Sequence, residues 1–149
     1  MKATYSSQRG SMLLEALIAI LIFSLGILAI VGLQAGAVKL SSDAKYRSDA
    51  NLLANQIIGQ MWVSDRTATA LQTSFQGSAG SGGPAYNTWA ASVANALPGV
   101  SGIAAIEPVI SVAPNTKTNP PSSTVTVTIQ WQVPGDQTLH KAITIADII

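Results

Sequence analysis

Between Ser11 and Val38 the chain carries a single charged side chain, Glu15. Within that stretch Met12 to Leu33 reads MLLEALIAILIFSLGILAIVGL, a 22-residue apolar run. As a helix it would span about 33 Å, against roughly 30 Å for the hydrocarbon core of a bilayer. Only lipid or other chains can bury such a segment, because the rest of a 149-residue chain is too small to wrap it. Ser24 can return its hydroxyl to the helix backbone. Gly32 and Gly36 frame a GxxxG that permits close helix approach.

Three readings compete for this N-terminus. A secretory signal peptide needs a basic start, an apolar core of about 7–15 residues and a small-residue cleavage site. Lys2 and Arg9 supply the start and Ala35-Gly36-Ala37 the site, but the core is too long and holds a carboxylate. A plain membrane anchor fits the length but gives no reason to keep Glu15, since a charge at mid-bilayer costs about 2.5–3.5 kcal/mol on insertion scales. In the third reading the carboxylate has a partner.

The residues Gln8-Arg9-Gly10-Ser11-Met12-Leu13-Leu14-Glu15 resemble the cleavage and methylation signal of type IV prepilins. In that family a short basic leader ends in glycine, and glutamate is the fifth residue of the mature chain. The resemblance makes Gly10 the last leader residue, Ser11 the new N-terminus and the site of N-methylation, and Glu15 the fifth residue. Ser11 departs from the phenylalanine usual at that place. The spacing has a physical sense, because positions i and i+4 share a helix face. The α-amine of Ser11 and the Glu15 carboxylate would lie one turn apart, and a carboxylate near the helix start complements its dipole. Among subunits packed in a low-dielectric core, Glu15 of one can neutralise the amine of the next and so fix their axial offset. Basic residues leave the topology open, since Lys2 and Arg9 precede the segment while Lys39, Lys45 and Arg47 follow it. The resemblance implies a cytoplasmic leader and an external C-terminal domain.

Beyond Val38 helical signals continue, with no proline before Pro84. Ala50, Leu53, Ala54, Ile57, Ile58, Met61 and Trp62 follow the three-four spacing of an amphipathic stripe. Seven of the fifteen charged residues fall between Lys39 and Arg66, which keeps the other face wet. An unbroken helix from Met12 to about Arg66 is expected, with no proline kink in its apolar half.

Gln76 to Pro84 is dense in Gly and Ser and reads as a flexible surface loop. It lacks the Lys-Ser/Thr ending and following helix of a phosphate loop. Thr88 to Leu97 reads as a short helix capped by Asn87 or Thr88 and stopped by Pro98-Gly99. Thr124 to Val133 alternates strictly, with Val125, Val127, Ile129, Trp131 and Val133 on one face and Thr and Gln on the other. Pro134 to Thr138 is a hairpin turn, Leu139 to Ile145 the returning strand, and Ile103 to Ala113 an earlier one. The expectation is an α+β fold of the type IV pilin kind, a long N-terminal helix on a small antiparallel sheet of about three strands. Its segments are a leader (1–10), an apolar transmembrane or filament-core half-helix (11–38), an amphipathic half-helix (39–66), a Gly/Ser-rich loop with a short helix (67–102) and the sheet (103–149).

With no cysteine and one histidine, His140, the chain cannot build a Cys/His zinc site, a redox pair or a disulfide framework. A Ser-His-Asp triad would have to recruit His140 from an alternating strand with no nucleophile motif nearby. A formal charge of +1 gives no footprint for nucleic acid. The reading is a structural and assembly protein without catalytic residues, cofactor or metal. The apolar stretches from Ser24 to Gln34 and Leu53 to Ile57, with the strand Ile129 to Val133, resemble minor pilins of the PilV type. That likeness implies processing by the prepilin peptidase, residence in the bacterial inner membrane with a periplasmic domain, and a place in a type IV pilus priming or tip complex. The implied partners are other minor pilins, the major pilin, the inner-membrane assembly platform and a tip adhesin, in adhesion or twitching motility. Two alternatives stay open: a pseudopilin of a type II secretion system, and a signal-anchored periplasmic binding module using the Thr/Gln strand face or the glycine loop.

Overall fold

The computed structural model describes residues 9–100, 106–117, 119 and 121–149. Most of the leader, and the first residues of the strand expected from Ile103, lie outside them. The chain divides into two compact units, Met1–Ser42 and Asp43–Ile149. Helix α1, Arg9–Val63, runs through both. It forms without interruption because no proline occurs within it, and the Ser24 hydroxyl donates to the Ile20 carbonyl at 2.7 Å instead of competing with the helix. It ends at Val63, where Ser64 donates its backbone N–H and its hydroxyl to Met61 O.

The second unit is a helix-covered sheet. Helix α2, Ala68–Phe75, is capped by Thr67, whose hydroxyl accepts from the Ala70 N–H at 3.4 Å. Strands β1 (Gly77–Ser78) and β2 (Ser81–Gly82) form a small hairpin. Helix α3, Pro84–Ala96, starts four residues before the sequence expectation, because Pro84 supplies the fixed φ suited to a first helical turn. Asn87 is inside this helix, and its amide donates to Gly82 O at 2.9 Å. Strands β3 (Val109–Asn115), β4 (Ser122–Gln132) and β5 (Leu139–Ile148) complete an antiparallel sheet of order β2-β1-β3-β4-β5.

The fold is thus α+β, with five strands rather than about three. The extra pair arises from the glycine-rich stretch expected to be loop. Gly77 and Gly82 lie so close to the Tyr86 ring that an added Cβ would sit 2.5–2.6 Å from its carbons. Ala79 and Gly80 turn the hairpin at φ 50° and 71°, as such tight turns require. Two-residue strands are too short to show a period-2 pattern in sequence.

The alternation of β4 appears as expected. Val125, Val127, Ile129 and Trp131 are buried and Val133 packs against the same core. Ala50, Leu53, Ala54, Ile57, Ile58 and Met61 of α1 face them, together with Leu71, Phe75, Tyr86, Trp89 and Val93 of α2 and α3. Full burial of a side chain the size of Ile57 contributes about 1.5–3 kcal/mol. Trp62, included in the expected stripe, is 42% exposed and lies off it. Trp89 fastens α3 to α1 through Nε1 donating to Leu53 O at 2.9 Å. The Gln72 amide fastens α2 to β3 by donating to Val112 O at 3.1 Å.

Candidate functional site

The first unit offers chemistry only through its surface. Every residue from Ser11 to Leu40 is exposed, including Leu13, Leu17, Ile20, Phe23, Leu28 and Leu33. No window of this stretch is buried within the chain, and α1 is long and apolar enough here to cross a membrane. An apolar surface of this extent marks a site of contact with lipid or protein. An added Cβ at Gly26, Gly32 or Gly36 would meet nothing within 4 Å, so no described residue packs against the helix at these glycines.

Gly10 and Ser11 both lie within α1, whose first residue is Arg9. In the uncut chain the first turn therefore contains no acidic residue, and Glu15 begins one turn further on. Cutting after Gly10 would make Ser11 the first residue and bring Glu15 to the end of the first turn, where it can answer the helix dipole. Ser11 and Glu15 line one groove of about 340 Å³ with Leu14, Ile18, Ala19 and Ile22. The structure therefore brings Ser11 and Glu15 onto one exposed face, as the four-residue spacing requires, with aliphatic side chains beside them.

The second unit uses its polar groups mostly to hold itself together. The Asp65 carboxylate accepts the Thr67 N–H at 3.0 Å, and that bond lowers its pKa below the usual carboxylate value. Asp65 borders a groove of about 490 Å³ with Arg66, Thr67, Pro114, Ser122 and Ile149. Tyr86 is fully buried; its hydroxyl donates to Pro108 O, and burial raises its pKa. His140 stacks on Trp131 with ring centroids 5.6 Å apart and planes 14° from parallel, which makes it a packing residue of the sheet's inner face.

One surface escaped the sequence reading. Leu139, Ile143 and Ile145 of β5 point away from the core at 47%, 54% and 65% exposure, while Ala142 and Ala146 take the inner positions. The signal was present in the parity of β5, but only the register Val127↔Thr144 shows that its large residues face outward.

Compared with models of known families, with curated proteins and with solved structures, the chain matches none of them.

Proposed function

We propose that this chain is a type IV prepilin that matures into a minor pilin, cut after Gly10 and built into a pilus priming or tip complex with other minor pilins. The observation that carries the reading is the single carboxylate at Glu15, four residues after Ser11 on one helix face and at the head of an apolar stretch otherwise free of charge to Val38. Such a carboxylate in a lipid or helix-packed environment requires a cationic partner. A free α-amine on the Ser11 of an adjacent subunit supplies one without any further basic residue in the segment. The long apolar helix and the small antiparallel sheet support the reading, because the segment that inserts and the domain that makes lateral contacts are distinct parts of one chain.

In this proposal the prepilin peptidase releases residues 1–10 and Ser11 becomes the N-methylated terminus. Met12 to Leu33 holds the subunit in the inner membrane until the assembly platform lifts it among the major and minor pilins. The test is the intact mass of the chain extracted from membranes of cells carrying a prepilin peptidase. A mass beginning at Ser11, shifted by one methyl group, is the expected result. A chain that still begins at Met1, or one that begins near Val38 after signal-peptidase cleavage, overturns the proposal in favour of an anchored or secreted binding module.

A further inference from the structure

The two edges of the sheet are unequal. The β2 edge is two residues long, whereas β5 extends over ten and, among the described residues, pairs with β4 alone. Its register with β4 runs without a break from Ser123↔Ile148 to Gln132↔Leu139, so no bulge twists the edge away. The strand contains no proline. Open strand edges are ordinarily shielded by such features, because their free N–H and C=O groups recruit another strand.

We propose that β5 pairs antiparallel with β5 of a second copy of this chain, with Thr144 on the two-fold axis. The strand's own sequence selects that occupant and that register. Centred on Thr144, Lys141 falls opposite Asp147 of the second copy and Asp147 opposite its Lys141, giving two opposite-charge pairs. Ile143 falls opposite Ile145 in both directions, both exposed on the outer face. On the inner face small Ala142 meets small Ala146. Cross-strand pairs of these kinds are what stabilise a ladder. A shift of the axis by one residue to Ile143 or Ile145 sets both charges against aliphatic side chains, and a half-step shift opposes inner to outer faces. The Asp147 carboxylate is held at this place by the Thr124 hydroxyl, which donates at 2.6 Å. Lys141 makes no ion pair with a carboxylate among the described residues.

A two-fold normal to the sheet has a geometric consequence. The Asp43–Val63 stretches of α1, which pack on the inner faces of the two sheets, point in opposite directions.

The test uses the full chain in detergent, with mass measured by sedimentation. The native chain is expected to be a dimer. Lys141→Asp and Asp147→Lys should each raise the dissociation constant about tenfold or more, because each sets like charges opposite one another twice. Mixing the two variants should restore a dimer, now a heterodimer, since every pair is again of opposite sign. Thr144→Cys, the chain's one thiol, should give a covalent dimer on mild oxidation. A native monomer at all concentrations, a dimer indifferent to both charge changes, no recovery on mixing, or no cross-link through position 144 overturns the proposal. None of these outcomes bears on cleavage after Gly10, which is read separately from the mass of the N-terminus.

Discussion

In the proposed maturation Glu15 and Gly10 act at different stages, and single substitutions separate them. Gly10→Val places a branched side chain where the proposed cut occurs and is expected to leave the full-length chain in the membrane, seen as the unprocessed mass. Glu15→Ala removes the charge without touching the cleavage point. It should leave the mature mass intact while lowering recovery of the protein in sheared filaments severalfold, measured by immunoblot. Tyr86 works on stability instead. Burial raises its pKa above the ordinary 10.0, so the folded state favours the neutral phenol. Its contribution is fully present below about pH 10 and is lost as pH rises through the higher folded-state value, because only the unfolded chain gives up the proton early. Tyr86→Phe leaves the Pro108 carbonyl without its partner and should cost about 1–3 kcal/mol at neutral pH. Denaturation profiles of the variant should also show a shallower alkaline decline.

At the scale of elements, glycine makes two opposite demands. Gly77→Ala drives a methyl group into the Tyr86 ring, 2.5 Å away, and should destabilise the domain by roughly 1–3 kcal/mol. Gly59, on an exposed turn of α1 with nothing within 4 Å of an added Cβ, should respond to the same change with a gain of roughly 0.4–1 kcal/mol. Urea denaturation of both variants in one detergent tests the contrast. The same elements show what a reader of the sequence can see. Val125 to Trp131 declared a strand because its alternation persists long enough to exclude a helix. The stripe from Ala50 to Met61 declared its inner face by spacing alone. The β1–β2 hairpin was hidden because its strands are too short for a pattern, and the start of α3 because Gly83 caps it without a side-chain hydrogen bond. The parity of β5 was hidden because alternation shows that two faces differ but not which one is inward. Only pairing with β4 decides that, and it puts alanine in and isoleucine out.

For the molecule as a whole, charge is distributed by the task of each part. If Lys2 and Arg9 leave with the leader, six basic and seven acidic side chains remain, and only Glu15 among them lies in the apolar stretch. The position of the candidate site was legible because it depends on spacing along a single helix, Ser11 to Glu15. The β5 surface was not, because it depends on which residues of another strand lie opposite. The tryptophans are divided just as unevenly. Trp62, Trp89 and Trp131 all belong to the Asp43–Ile149 unit, and Met1–Ser42 has none. Indole fluorescence of this chain is therefore a reporter for one unit only. Unfolding followed by emission should give the same midpoint whether the apolar helix sits in detergent or in lipid vesicles, while far-ultraviolet circular dichroism should retain a helical remainder after the emission change is complete. A midpoint that moves with the lipid would mean that the two units share their stability. The protein thus carries its own optical label, already confined to the unit that holds the sheet.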